Sequence, residues 1–314
     1  MSDKAIFLIG PTAVGKTELA LRLAKYYPLE IISVDSALIY QDLDIGSAKP
    51  SAAELSQVPH HLINILSPLA SYCVADFLSD TQQKIREINQ RGNLALLVGG
   101  TMMYYNALIN GISQLPEADL ELRSYLQQQF SEHGNAQLHL RLQQLDPLSA
   151  ANIQVNDTQR LGRALEVCLL TGQAMSQVQA ATKMPGLVNC DYLPLAIKAE
   201  NRQLLHQRIN SRWEKMLHAG VIAEVQQLRL KYPSLTAAHN SMRCVGYRQV
   251  WDYLDGVIDF TTLNEQAQAA TRQLAKRQIT WLRSLQVVSV DDFELDLEVL
   301  LTKILALIQD FVSR

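Results

Sequence analysis

The sequence predicts an α/β fold in which a parallel β-sheet is flanked by helices and interrupted by a helical insertion domain. Three observations predict it. Short strands that are apolar throughout alternate with helices, a glycine-rich turn joins the first strand to the first helix, and a long helical stretch separates two groups of strands. Strands without polar alternation are typical of a parallel sheet that is covered on both faces.

The first half of the core is predicted from alternating strand and helix patterns. Residues 5–9 are apolar and end at Gly10, and residues 16–27 repeat apolar side chains with helical spacing. The same reasoning predicts further strands at 30–34, 61–66 and 94–98, and further helices at 74–91 and 101–110.

The character of the chain changes near Pro116, where Gln, Leu, Arg and Ala become dominant. We assign 117–190 to the helical insertion, and 1–116 together with 191–314 to the α/β core with its C-terminal helices. The insertion is predicted to contain helices at 119–131, 135–145 and 157–171, followed by a loop at 180–191. In the returning core we expect strands at 192–198 and 285–290, and helices at 201–218, 220–230, 262–284 and 295–313.

The composition is that of a folded protein, since 48% of the 314 residues are hydrophobic and 19% are charged. No apolar run reaches the ~18 residues of a membrane span, and the apolar start at 5–9 is too short for a secretory signal. We therefore expect a cytoplasmic protein with no membrane contact. The cysteines form no CxxC pair and predict free thiols rather than a zinc or disulfide site; they are Cys73, Cys168, Cys190 and Cys244.

The charge is unevenly distributed along the chain. The net charge of −3 by itself argues little for nucleic-acid binding. Two predicted helical segments, 201–215 and 268–283, are nevertheless rich in Arg and Lys, and the second contains no acidic residue. They can form a positive surface for phosphates, although such a run of charges is more often a solvated helix face.

The strongest motif is a phosphate-binding loop between the first strand and the first helix. It fits G-x-x-x-x-G-K-[ST], and its residues are Gly10, Pro11, Thr12, Ala13, Val14, Gly15, Lys16 and Thr17. The glycines let successive backbone N–H groups converge on phosphate oxygens, and the following helix points its positive end at the same anion. Lys16 adds a charge, and Thr17 can ligate Mg²⁺. The fold class is therefore a P-loop NTPase-like parallel sheet.

This motif predicts a bound diphosphate or polyphosphate but does not by itself predict ATP hydrolysis. P-loop ATPases usually place an Asp at the end of a buried strand to hold the Mg²⁺ shell. The strand at 94–98 ends instead in Gly99, Gly100 and Thr101. An ATPase is disfavoured by this difference, whereas a small-molecule kinase stays open.

Two polar residues follow strands whose carboxyl ends should border the ligand crevice. Asp35 follows the strand at 30–34, where it could accept a proton, cap the next helix or hold the Mg²⁺ shell. Thr101 follows the two glycines, where it is either a plain helix cap or a contact to substrate. Position alone does not decide between these roles.

The ordered set of motifs resembles the tRNA dimethylallyltransferase family, also called isopentenyl-diphosphate:tRNA transferase, in its shorter bacterial form without a zinc finger. The segments are GPTAVGKT at 10–17, VDSALIYQDLDIGSAKP at 34–50, VPHHLINI at 58–65, LVGGTMMYYNAL at 97–108, NDTQRLGRALEV at 156–167, RCVGYRQ at 243–249 and TRQLAKRQITWLR at 271–283. The resemblance implies transfer of a dimethylallyl group from dimethylallyl diphosphate to N6 of the adenosine at tRNA position 37, with Mg²⁺ as cofactor. The partner is thus the anticodon loop of tRNA, and nothing demands more than a monomer.

The resemblance also implies roles for individual residues. The P-loop, helped by Arg277, holds the donor diphosphate; Asp35 deprotonates N6, and Thr101 contacts the target adenosine. The implied tRNA contacts are Asp35, Ser36, Ala37, Leu38, Thr101, Arg123, Gln159, Arg160, Leu161, Gly162, Arg163, Arg243, Cys244, Val245, Gly246, Tyr247, Arg248, Lys276 and Arg283.

Three other functions compete with this interpretation. A P-loop kinase of a small metabolite would consume ATP. A non-catalytic RNA-binding module would explain the basic helices but would give no function to the P-loop or to Asp35. Prenyl transfer onto free adenine nucleotides would need neither the insertion nor the basic helix, so a large RNA acceptor is favoured.

Overall fold

A computed structural model describes residues 2–294 and 296–313, apart from the side chains of residues 291 and 292. It divides into two compact units, Met1–Leu108 with Leu187–Arg314 and Ile109–Gly186. The sequence places the corresponding edges at 116/117 and 190/191, several residues further along the chain.

The first unit is built on a six-stranded parallel sheet, as the apolar strands predicted. Its strands are β1 (Asp3–Ile9), β2 (Leu29–Val34), β3 (His60–His61), β4 (Leu94–Gly99), β7 (Cys190–Lys198) and β8 (Val288–Asp292). They are ordered β3-β2-β4-β1-β7-β8. Residues 5–9 of β1 are fully buried because this strand lies in the interior of the sheet and is covered on both faces.

Helices surround this sheet. They are α1 (Lys16–Leu23), α2 (Ala52–Leu55), α3 (Val74–Gln90), α4 (Met102–Asn110), α9 (Arg202–Ala219), α10 (Val221–Lys231), α11 (Tyr247–Leu254), α12 (Phe260–Leu282) and α13 (Leu297–Ser313), with a 3₁₀ turn at Asn240–Arg243. One core packs the sheet against α1 and α13. A second core packs the segment after β2 against α9 to α12. That segment is therefore held by helices from the far end of the chain.

The second unit is mainly helical. It contains α5 (Leu120–Leu145), α6 (Pro147–Asn152), α7 (Thr158–Thr171) and α8 (Met175–Ala181), with a two-stranded ribbon of β5 (Ile112–Ser113) and β6 (Lys183–Met184). The ribbon pairs residues 112–113, ahead of α5, with residues 183–184, after α8, which explains why the unit begins earlier than the change in composition suggests. The unit ends at Gly186, shortly before β7 begins at Cys190. Gly134, with φ 73°, breaks α5 between the two helices that the sequence predicts there.

Several sequence predictions are wrong in detail. The strand expected at 61–66 ends at His61, because Leu62 and Asn64 adopt left-handed φ angles of 59° and 57°. The loop expected at 180–191 contains the end of α8, all of β6 and the start of β7. The helix expected at 16–27 ends at Leu23.

Among the described helices, none combines the length and the apolar character needed to cross a lipid bilayer.

Candidate active site

The P-loop adopts a tight left-handed turn between β1 and α1. Ala13 and Gly15 have φ angles of 68° and 90°, and α1 begins directly afterwards at Lys16. A Cβ on Gly10 would lie 3.1 Å from Cγ2 of Val14 and 3.4 Å from the carbonyl oxygen of Ile197, so the entrance of the loop has little spare room. The amino end of α1, where the positive end of the helix dipole lies, therefore faces this turn.

Lys16 folds back onto its own loop. Its Nζ donates hydrogen bonds to the carbonyl oxygens of Gly10 and Pro11, at 2.9 and 2.7 Å. Burial and the nearby charge of Arg212 lower the pKa of Lys16 to about 7, although the Asp35 carboxylate opposes the shift. A bound anion would favour the protonated amine, because it adds negative charge beside it.

Asp35 and Thr101 are brought together by the neighbouring strands β2 and β4. Oδ1 of Asp35 accepts hydrogen bonds from the backbone N–H of Ala37 at 2.8 Å and of Leu38 at 3.4 Å. Oγ1 of Thr101 accepts one from the N–H of Ser36 at 3.2 Å. Oδ2 of Asp35 accepts none from the described part of the chain, so one carboxylate oxygen shapes the turn while the other could accept a ligand or a proton.

The two strand ends can approach this closely only because residue 99 is glycine. A Cβ there would lie 2.0 Å from the carbonyl oxygen of Val34, well inside van der Waals contact. The same backbone junction is closed by a hydrogen bond from the N–H of Thr101 to that oxygen, at 3.2 Å. Steric conflict with the carbonyl oxygen of Val34 therefore explains why the first residue of the Gly-Gly-Thr segment is glycine.

Arg212 of α9 is a site residue that the sequence did not single out. Its guanidinium charge adds to the effect of burial in lowering the pKa of Lys16. Burial lowers the pKa of Arg212 itself, and the nearby Asp35 carboxylate opposes that shift. Its Nη2 also donates to the carbonyl oxygen of Ser47 at 3.4 Å. The available signal was the buried stripe of α9, Leu205, Ile209 and Trp213, which places residue 212 at the edge of the packed face.

Glu224 of α10 fastens the chain that follows Asp35. Its carboxylate accepts hydrogen bonds from three consecutive backbone N–H groups, those of Asp44 at 3.0 Å, Ile45 at 2.6 Å and Gly46 at 3.1 Å. The hydroxyl of Tyr247 donates to the same carboxylate at 2.6 Å. The segment that leads away from Asp35 is thereby tied to α10 and α11.

The predicted tRNA contacts differ in how they are placed. Tyr247 and Leu161 are fully buried, so their side chains belong to the cores of their units and cannot face RNA. Cys244 lies near Asp35. Burial, and to a smaller extent the Asp35 carboxylate, raises the pKa of the Cys244 thiol to about 12. The exposed members of the predicted set are Ser36, Arg123, Gln159, Arg160, Arg243, Arg248, Lys276 and Arg283, and the partly or fully buried ones include Ala37, Leu38, Gly162, Arg163, Val245 and Gly246.

Arg277 is not the residue of α12 that reaches the P-loop in the described structure. It is exposed and lines a surface pocket with Gln273, Lys276, Thr280 and Trp281. Its neighbour Gln278 is buried instead, and the N–H of Thr12 donates to its Oε1 at 2.9 Å. The helix position next to the predicted one therefore makes the contact, because the 3.6-residue period turns consecutive side chains about 100° apart.

In the second unit, two arginines that are predicted to contact tRNA, Arg123 and Arg163, both donate hydrogen bonds to the buried carboxylate of Glu166. Glu166 is 1% exposed and accepts hydrogen bonds from Nε of Arg123 at 2.8 Å, Nη1 of Arg163 at 2.6 Å and the N–H of Asp119 at 3.1 Å. The side chain of Arg123 stays half exposed. Both guanidinium groups are thus fixed in direction without being removed from the surface.

We expect Glu166→Ala to lower the free energy of unfolding by about 3 kcal/mol, because it leaves Arg123, Arg163 and a backbone N–H without their buried acceptor. Urea unfolding followed by circular dichroism measures this change. The matched control is Glu132→Ala at an exposed position of the same unit, for which we expect less than about 0.5 kcal/mol. Equal stability of the two variants would contradict a structural role for the buried acid.

The oxygen donors around the P-loop fit Mg²⁺. The exposed Thr17 lies at the start of α1 beside Lys16, and the Asp35 carboxylate is close enough to influence that lysine. Mg²⁺ prefers such hard oxygen ligands and is commonly held by one or two protein groups together with substrate phosphates. Among the described residues no cluster of three or more His, Cys, Asp or Glu could hold a metal ion by itself.

Known proteins resemble this chain over almost its entire length. The family model described as IPP transferase matches residues 38–285, and the one described as Isopentenyl transferase matches residues 4–65. The tRNA dimethylallyltransferase of Chromobacterium violaceum is 52% identical over 293 residues, which cover 93% of this chain and 90% of that protein. The Neisseria meningitidis serogroup A enzyme of the same name is 52% identical and covers 93% of each chain.

Solved structures agree with these sequence relationships. The tRNA isopentenylpyrophosphate transferase of Bacillus halodurans is 35% identical with a TM-score of 0.70, covering 98% of this chain and 96% of that one. A eukaryotic dimethylallyltransferase described as acting on tRNA is 25% identical with a TM-score of 0.80, covering 99% of this chain and 80% of that one. The predicted fold class is confirmed, and a small-metabolite kinase is not favoured. The chain therefore belongs to the tRNA dimethylallyltransferase family of prenyltransferases, as its motifs predicted.

Proposed function

We propose that this enzyme transfers a dimethylallyl group from dimethylallyl diphosphate to N6 of the adenosine at tRNA position 37, next to the anticodon. The observation that carries the proposal is the meeting of an anion-binding P-loop, two partly buried cations and one carboxylate. Burial lowers the pKa of both Lys16 and Arg212, and the nearby Asp35 carboxylate opposes that shift in each. Asp35 lies at the end of β2, and Thr101 follows the neighbouring strand β4. Since tRNA is the acceptor, we place the enzyme in the cytoplasm, and we expect it to act as a monomer.

The donor half of the reaction requires a diphosphate that leaves easily. As the allylic C–O bond breaks, negative charge grows on the diphosphate oxygens and a cation-like carbon forms. The P-loop amides, the amine of Lys16 and the guanidinium of Arg212 stabilise that charge where it develops. Thr17, together with the donor's own oxygens, would hold Mg²⁺ here, and the bound ion would supply further positive charge.

The acceptor half requires a base for the amine proton. Adenine N6 is a weak nucleophile, so Asp35 takes its proton as the C–N bond forms rather than beforehand. Thr101 lies at the neighbouring strand end and is hydrogen-bonded to the turn of Asp35, where it can contact the base. The target adenosine must leave the anticodon loop to enter this site, which costs less in a loop than in a duplex. Exposed arginines and lysines of both units supply contacts to the RNA backbone.

Incubation of the enzyme with unmodified tRNA, labelled dimethylallyl diphosphate and Mg²⁺, followed by nucleoside analysis, tests this proposal. We expect labelled N6-dimethylallyladenosine at position 37 and no consumption of ATP. A matched tRNA with guanosine at position 37 should remain unlabelled. Label transferred to free AMP as efficiently as to tRNA, or ATP consumption with a small acceptor, would contradict the proposal.

A further inference from the structure

Gln278 of α12 joins two loops of the candidate active site. Its side chain is 7% exposed, and each end of its carboxamide is used. Oε1 accepts a hydrogen bond from the N–H of Thr12 at 2.9 Å, and Nε2 donates one to the carbonyl oxygen of Gly100 at 2.9 Å. One end of the side chain thus holds the P-loop, and the other holds the loop that carries Thr101.

The space around this bridge is closely filled. A Cβ on Gly100 would lie 2.4 Å from Nε2 of Gln278 and 3.3 Å from the carbonyl oxygen of Gly10. Residue 100 must therefore be glycine for the carboxamide to fit between the two loops. The limited space at residue 100 and the two hydrogen bonds of Gln278 therefore favour the same arrangement of the two loops.

Glutamine is an unusual choice for this position of α12. The buried side of the helix is otherwise formed by Leu263, Ala267 and Ala275. A buried carboxamide costs free energy unless its polar atoms are paired, whereas an apolar side chain would fill the space without that demand. The two loop contacts supply the pairing, and they are separated from Gln278 by 266 and 178 residues along the chain.

We propose that Gln278 is a positioning residue that holds the P-loop and the Gly100–Thr101 loop at one fixed separation, so that the donor diphosphate and the target adenosine meet in reacting geometry. This inference rests on the proposed function. It also assigns the N–H of Thr12 to the bridge, so that the diphosphate is held by the amides that follow it, from residues 13 to 17. Small errors in the separation of two reactants cost large factors in rate.

Two substitutions separate positioning from mere packing. Gln278→Met keeps the length of the side chain but removes both hydrogen bonds. Gln278→Glu keeps an acceptor for Thr12, but only its protonated carboxyl can also donate to Gly100. Burial and the adjacent carbonyl raise the pKa of a carboxyl at this position, so the bridge should re-form as the pH falls. Gln266→Glu makes the same chemical change at an exposed position of α12 and is the matched control.

We would titrate each protein with magnesium pyrophosphate and measure the transfer rate, between about pH 5.5 and 8.5. At the alkaline end we expect both Gln278 variants to bind pyrophosphate about 10- to 100-fold more weakly than wild type and to lose turnover by a similar factor. Relative to wild type at the same pH, Gln278→Glu should recover toward acid, whereas Gln278→Met should stay impaired and Gln266→Glu should match wild type. Circular dichroism establishes that each variant is folded.

Normal pyrophosphate affinity and turnover in Gln278→Met would overturn the inference, as would a Gln278→Glu defect that does not change with pH in a folded protein. Pyrophosphate binding needs no prenyl transfer. If wild type bound pyrophosphate but made no prenylated adenosine, the proposed function would fail, while the binding arm would still decide whether Gln278 positions the P-loop.

Discussion

Asp35→Asn is expected to reduce turnover at least about 100-fold, the usual scale for loss of a general base, while leaving tRNA affinity nearly unchanged. Asn keeps an oxygen that can accept the hydrogen bonds from the N–H groups of Ala37 and Leu38, so the turn after β2 survives. It cannot take the proton from N6. Single-turnover transfer assays with saturating donor, together with filter binding of tRNA, measure the two quantities separately.

The companion variant Asp35→Ala removes the base and the turn at once. Its turnover should fall by at least as much as that of Asp35→Asn, and its tRNA affinity should fall further because residues 36–38 lose their anchor. If Asp35→Asn turned over at close to the wild-type rate, Asp35 would be a turn residue and another group would have to accept the proton. Equal loss of tRNA affinity and turnover in Asp35→Asn would also remove the base from the mechanism.

Lys16→Met should weaken binding of the donor or of magnesium pyrophosphate by about 30-fold or more, since it deletes a charge-assisted contact to the diphosphate. Binding of tRNA should change little. The matched control is Lys25→Met, which removes an exposed lysine just beyond α1 and should bind pyrophosphate as wild type does. Loss of tRNA affinity with an unchanged donor KM would contradict the P-loop assignment.

The lowered pKa of Lys16 adds a pH dependence to that comparison. Without an anion its pKa is about 7, so the amine is largely neutral at higher pH. The bound anion raises the pKa of Lys16, so binding of the anion is coupled to uptake of a proton by the lysine. The contribution of Lys16 to the affinity therefore decreases as the pH rises above about 7. The ratio of wild-type to Lys16→Met pyrophosphate affinity should therefore fall from neutral to alkaline pH; the ionisation of pyrophosphate itself cancels in this ratio. A ratio that stays constant would show that Lys16 is charged before the anion arrives.

The sequence by itself determined the class of the protein and the centre of its site. The P-loop needs only local spacing between a strand and a helix, and the position of Asp35 needs only the rule that parallel strands end at one edge of a sheet. The break at Gly134 and most long helices were likewise readable, because periodicity and glycine punctuation are local properties. The short helices α2 and α8, of four and seven residues, were missed because so few residues show too little periodicity.

The tertiary structure alone decided which distant residues complete the site. Arg212, Glu224 and Gln278 each contact a loop more than a hundred residues away in sequence, and no local pattern specifies such a pairing. One helical step decided that Gln278, rather than Arg277, bonds with the P-loop. The burial of Tyr247 and Leu161 was also decided by packing, since a motif states which residues are present but not which face of their helix is covered.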